Sequence, residues 1–194
     1  MTTEGAAKDL PGARAEPLSP AEVRAWEEAQ RRLRSVWLRA RSGVPLSSDD
    51  LQLPKLDSER LVNALHVPDD AGRHTAALEA ILRRIPDNWG RWSSCDRGWY
   101  PLIVDLDRQL AALDPGYILH QIKQKFGVLT VYIESAPEVA GAMQALIAKA
   151  AEASKGICEV CGAPGFLTEG SYLVKTLCPE CCLANGSLPV ERNR

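Results

Sequence analysis

Four cysteines near the C-terminus stand in two pairs, Cys158-Glu159-Val160-Cys161 and Cys178-Pro179-Glu180-Cys181, with Gly162 after the first pair and fifteen residues between that glycine and Cys178. Two residues between thiols let both sulfurs of a pair turn toward one point. Two such pairs joined by a short hairpin close a tetrahedral cage for Zn2+. Gly162 suits the left-handed turn of a zinc knuckle, where backbone N–H groups point at the thiolates. The spacing therefore predicts a Zn2+ site with ligands Cys158, Cys161, Cys178 and Cys181, inside a zinc ribbon or treble clef spanning 156–190. Cys182 directly follows Cys181 and is a competing fourth ligand; the other reading is a thiol packed at the start of a final helical turn.

Four thiolates fill the coordination sphere and leave no position for water or substrate, so the metal is expected to be structural. A zinc deaminase needs a His-x-Glu or Cys-x-Glu arrangement; Glu159 follows Cys158 directly, and the segment has no histidine. Two disulfides would use the same cysteines, but Met1-Thr2-Thr3-Glu4 is not the basic start of a signal peptide. No run approaches the roughly eighteen apolar residues of a membrane span. A cytoplasmic setting with reduced thiols is the expectation, and it favours metal over disulfides. A redox Cys-x-x-Cys would need no second pair. The module carries Glu159, Glu169 and Glu180 against Lys175. Phosphate contact needs positive potential, so this segment reads as a brace or a protein-binding knob rather than a DNA reader.

Ahead of the module, residues 1–17 are small, polar and rich in Pro and Gly, and read as a disordered tail. A helical region is expected over 18–94 and an α+β core with a hairpin over 95–155. Ser19-Pro20-Ala21-Glu22 is a capping box with proline at the first helical position. Val23, Trp26, Leu33, Trp37 and Ala40 then recur at helical spacing to about Arg41. Arg24, Arg31, Arg32, Arg34, Arg39 and Arg41 flank that stripe, as a solvated basic face or as a surface for phosphate or an acidic partner. Gly43-Val44-Pro45 ends the helix, and 45–56 reads as loop.

Asp57-Ser58-Glu59 opens a short helix to about His66, and Asp69-Asp70 opens another whose stripe is Leu78, Ile81, Leu82 and Ile85, stopped by Pro86. His66 and His74 read as surface or cap histidines. Residues 86–98 look irregular, with Trp89, Trp92 and a lone Cys95. After Gly98-Trp99-Tyr100-Pro101 a helix carries Leu102, Ile103, Leu106, Leu110 and Leu113. Asp114-Pro115-Gly116 is a turn, and 117–125 and 128–134 are strands around Phe126-Gly127. Ser135-Ala136-Pro137-Glu138 reads as a second capping box, opening an Ala-rich helix to Lys155. The fold class is α+β: mainly helical, with a small antiparallel β-hairpin sheet and the C-terminal zinc module.

Gly98-Trp99-Tyr100-Pro101-Leu102, Gln121-Ile122-Lys123-Gln124-Lys125-Phe126-Gly127-Val128-Leu129 and Cys158-Glu159-Val160-Cys161-Gly162 together resemble a group of uncharacterised bacterial and phage proteins. That group combines a G-W-x-P-L helix, a V-K-E-K-F-G-x-L-R hairpin and a C-terminal paired-cysteine module. The resemblance covers 95–182 and implies a shared domain rather than an activity. Gln124 stands where that pattern has an acid, and Thr130 where it has arginine.

Three functional classes fit these residues. The first is a non-enzymatic protein-interaction factor of accessory or immunity type, braced by zinc. The second is a nucleic-acid-binding regulator using Arg31, Arg34, Arg41, Lys123 and Lys125. The third is a metal-dependent nuclease in which Gln121-x-Lys123 works with Mg2+ held by Asp105, Asp107 or Asp114. The first is preferred, with no membrane partner, because no catalytic constellation is legible and the net charge is −2.

Overall fold

The computed structural model describes residues 15–170 and 174–190. The chain is α+β, with helices α1 (Pro20–Arg41), α2 (Ser58–Asn63), α3 (Thr75–Leu82), α4 (Tyr100–Leu113), α5 (Ala140–Ser154) and α6 (Pro179–Ala184). The strands are β1 (Leu65–His66), β2 (Arg91–Ser94), β3 (Ile118–Lys125), β4 (Val128–Glu134), β5 (Phe166–Glu169), β6 (Val174–Leu177) and β7 (Leu188–Pro189). Among the described residues, no helix is long and apolar enough to cross a membrane.

The predicted hairpin forms, β3 against β4, with Gln124 facing Leu129 and Lys125 facing Val128. It is not a free-standing hairpin sheet. β2 pairs parallel to β3, and β1 parallel to β2, making a four-stranded mixed sheet in the order β1-β2-β3-β4. β2 lies in the stretch 86–98 that reads as irregular, and β1 takes His66 out of the expected helix, which ends at Asn63. Both strands are too short to show a period, and a buried Arg91 hides the strand character of Arg-Trp-Ser-Ser. Arg91 is 1% exposed; it donates to the carbonyls of Ile85 at 3.0 Å and Asn63 at 2.5 Å and pairs with Asp87.

One face of this sheet presents Leu119, Ile122, Leu129 and Val131 to α4 and α5, which supply Ile103, Leu106, Leu110, Met143 and Ile147. Each such side chain, fully buried, contributes about 1.5–3 kcal/mol. The core is completed by Leu78, Ile81 and Leu82 of α3 and by Ile85, as their helical spacing predicts. α3 begins at Thr75, after a 3-10 turn at Gly72–His74, rather than at Asp69-Asp70. Asp70 instead accepts from the Tyr100 hydroxyl at 2.9 Å. The second capping box does not form either. α5 starts at Ala140 without a side-chain cap, because Asp114 takes the Ala136 N–H at 3.0 Å and holds that segment outside the helix.

Residues 1–14 of the expected tail lie outside the described residues. From Ala15 on the chain is tied down: Glu16 accepts from the Leu65 N–H at 3.2 Å, and Arg60 donates to the carbonyls of Glu16 and Pro17 at 3.1 and 2.7 Å. The Ser19 capping box is present, with Ser19 N–H on Glu22 at 2.7 Å and Glu22 N–H on Ser19 Oγ at 3.3 Å. Only Ala29 of α1 is buried, and Leu33 and Trp37 of its stripe are 53% and 51% exposed.

Candidate metal centre

The last two strand pairs of the chain form a second, antiparallel sheet in the order β6-β5-β7, flanked by the two cysteine pairs. Before β5, residues 158–162 turn back on themselves. The Gly162 N–H donates to the Cys158 carbonyl at 2.8 Å, and Gly162 adopts φ +81°, as the left-handed knuckle requires. After β6, Cys178 is the N-cap of α6, and its sulfur accepts from the Cys181 N–H at 3.4 Å. The hairpin between them closes the distance left by the sequence.

The sulfurs of Cys158, Cys161, Cys178 and Cys181 lie within 4.8 Å of one another, with Cys161 and Cys178 3.6 Å apart. A tetrahedron with metal–sulfur arms of 2.3 Å has edges of about 3.8 Å, so the cluster has the size of such a cage. Cys182 is not part of it: its thiol donates to the Ser187 carbonyl at 3.1 Å. The two adjacent cysteines therefore separate into a member of the cluster and a packed thiol.

The acid–base chemistry of Cys158, Cys161 and Cys181 points the same way. Burial opposes ionisation of Cys158, yet backbone groups of Cys178 and Cys161 and the Cys161 side chain outweigh it and bring the thiol down to about 7. The Cys178 and Cys161 side chains hold the Cys181 thiol well above its ordinary range. A backbone contact from Ala163 favours the Cys161 thiolate, but burial and the sulfurs of Cys158 and Cys178 push its titration up. Like charges this close cannot all form unaided; a divalent cation among them removes the penalty. Four cysteines brought together in this way can hold a metal ion.

The module is bolted to the core through contacts that the sequence does not announce. The Gly98 N–H donates to the Glu159 carbonyl at 2.7 Å, and Trp99, fully buried, donates its indole N–H to Ile157 at 2.8 Å. A methyl group on Gly98 would sit 2.2 Å from the Cys158 carbonyl oxygen. On the other side, Thr176 Oγ1 donates to the Gly127 carbonyl at 2.7 Å at the tip of the β3–β4 hairpin, and Gln124 donates to the Val174 carbonyl. The Gly-Trp turn thus seats the knuckle, and the Lys-Phe-Gly hairpin tip seats β6.

The charges sort differently from their formal count. Glu159 is 1% exposed, with Lys175 Nζ 3.6 Å from it and 2.6 Å from Asp96. Burial pushes the Glu159 carboxyl up, against the pull of Lys175 and with the push of Asp96. Burial opposes the charge on Lys175, but Asp96 and Glu159 prevail and raise its titration. Lys175 is therefore consumed internally, and Glu169 and Glu180 are the acids the module shows to solvent. Cys95, buried beside this group, has its thiol pushed up to about 12, chiefly by burial.

Other candidate residues are scattered. Asp105 is engaged by Arg108 and Gln109, Asp107 by Arg84 and Tyr117, and Asp114 by the N–H groups of Gly116 and Ala136. Among the described residues, no ion-binding cluster contains any of the three. Arg31 pairs with Glu28 at 2.9 Å, and Arg41 lies over the Trp37 ring at 5.2 Å. Arg32 and Arg39 are turned onto Glu28 and Asp50, and Arg34 is exposed. His66 bonds the Leu61 carbonyl at 2.7 Å, and His74 accepts from Arg73 at 3.2 Å.

No family model, no curated protein and no solved structure matches this chain. The site must be read from its own chemistry.

Proposed function

We propose that this chain is a zinc-braced, non-enzymatic binding protein, of the accessory or immunity type that the motif pattern suggests, working in a reducing compartment such as the cytoplasm. Zn2+ held by Cys158, Cys161, Cys178 and Cys181 would be structural, and the module a treble clef: knuckle, hairpin, then a helix whose first turn supplies the last two ligands. The single observation that supports this most is the all-sulfur donor set: among the described residues no His, Asp or Glu joins the four cysteines in the cluster. All-thiolate sites of this size suit zinc better than harder divalent cations.

The partner surface proposed for the module is protein-facing. Leu183 and Leu188 are 83% and 72% exposed on adjacent elements, beside the acidic Glu180. An apolar pair with a carboxylate at its rim suits a partner surface that is apolar at its centre and basic at its edge. Zinc content of the purified chain and partner capture test the two halves separately. Leu183→Asp with Leu188→Asp should keep zinc and abolish capture. Equal capture by that variant would remove this surface from the proposal.

A further inference from the structure

The sheet has a second face, and it is neither apolar nor covered. His66 pairs with Trp92, Ser94 with Lys123, Lys123 with Thr130, and Gln121 with Tyr132. Residues two apart on a strand share a face, so His66, Trp92, Ser94, Lys123, Thr130 and Tyr132 all stand on the side away from α4 and α5. Trp92 and Tyr132 are 42% and 46% exposed there. The Lys123 ammonium lies 5.5 Å from the Tyr132 ring. At the hairpin tip Phe126 is 71% exposed, with Lys125 5.8 Å from its ring. Among the described residues, neither lysine has a carboxylate within ion-pairing distance.

We propose that this open sheet face binds single-stranded nucleic acid, with bases stacked on Trp92 and Tyr132 and phosphates held over Lys123 and Lys125. The inference is independent of the protein-facing surface on the metal module. Trp92 and Tyr132 sit two strand spacings apart, about 10 Å. That separation suits splayed bases of one strand, whereas a duplex hides its base faces. The exposed Gln121 stands between the two rings, opposite Tyr132, and the small polar Ser94 and Thr130 flank Lys123 in the next row. At its β1 edge the face runs into a cleft of ≈ 1020 Å³, where Trp92 and His66 are joined by Val23 and Trp26 of α1. Glu27 and Asp69 also line that cleft, so the cleft suits a base and repels a phosphate. Glu134, 3.5 Å from His120, marks the acidic end of β4. The strand's charge therefore runs along the Lys123–Lys125 end, its bases toward the cleft.

The test uses the full-length, zinc-loaded chain with labelled oligo-dT and oligo-U, the matched duplex and poly-glutamate as probes. Anisotropy and tryptophan fluorescence are followed across a salt series. Binding of single strands, preference over duplex and quenching of tryptophan emission are expected, with a log–log salt slope of about −1 to −2 for two phosphate contacts. Lys123→Glu with Lys125→Glu, at a half-buried and an exposed position, should abolish binding. Tyr132→Ala should weaken it about ten-fold while leaving the salt slope unchanged. The oligo-dT and oligo-U arms tell DNA from RNA as the source. Failure to bind at low salt, equal affinity for duplex, or no loss in Tyr132→Ala would overturn the proposal. Displacement by poly-glutamate at equal charge concentration would also overturn it, showing a surface that reads acidic protein by charge alone.

Discussion

Gly98 packs directly against the backbone of the knuckle, and Gly98→Ala should break that joint. A Cβ at this position would meet the Cys158 carbonyl oxygen at 2.2 Å, the Glu159 carbonyl oxygen at 2.5 Å and the Gly162 nitrogen at 2.5 Å. All three are backbone atoms, so no side chain can swing away. Gly98 lies in a 3-10 turn with no positive φ, so alanine is conformationally acceptable there. Considered alone, that would stabilise the fold by ~0.4–1 kcal/mol through the unfolded chain. Against it stand overpacking, ~1–3 kcal/mol, and the hydrogen bond from Gly98 to Glu159, ~1 kcal/mol. The net is a loss of about 2 kcal/mol, which for a chain of this size lowers the melting temperature by roughly 4–8 °C. Because the displaced atoms belong to the knuckle, metal should also transfer faster to a chromophoric chelator. Gly141→Ala is the control: its Cβ meets nothing within 4 Å and it lies in α5, so it should raise stability by about 0.5 kcal/mol. A Gly98→Ala protein that melts at or above the parent and transfers metal at the parent rate would refute this account of the interface.

Cys161→Ser should lose bound metal and the protection of 156–190 in hydrogen exchange, while Cys182→Ser should keep full metal content, since that thiol faces Ser187; equal losses would put Cys182 back among the ligands. Arg91→Met should destabilise by about 2–4 kcal/mol, because two carbonyls lose their donor in a buried site, read by urea denaturation. Cys95 should resist iodoacetamide at pH 8 in the native protein and react on unfolding, since burial holds its thiol up at about 12; rapid native alkylation would contradict its placement.

Which parts of this architecture could be read in advance follows from how local the determining interactions are. The α1 capping box, the β3–β4 hairpin and the cysteine spacing depend on residues a few positions apart, and each is visible in the chain. β1 and β2 are stabilised by parallel pairing to distant strands, and at two and four residues they carry no period of their own. Ser135 has the chemistry of a cap, but Asp114, distant in sequence, decides the backbone there. Glu159 looks like surface charge and is instead the buried partner of Lys175. At the metal centre the four cysteines were legible, whereas the choice between Cys181 and Cys182 needed the direction of α6. The role of Gly98 and Trp99 as the seat of the knuckle was present only as an unexplained co-occurrence of motifs.

The account rests on one ion held wholly by sulfur. Zinc K-edge absorption on the purified chain measures that shell directly. One zinc per chain with four sulfur neighbours at about 2.3 Å is the predicted result. A shell containing oxygen or nitrogen, or a cooperatively folded chain with no bound metal, would contradict it.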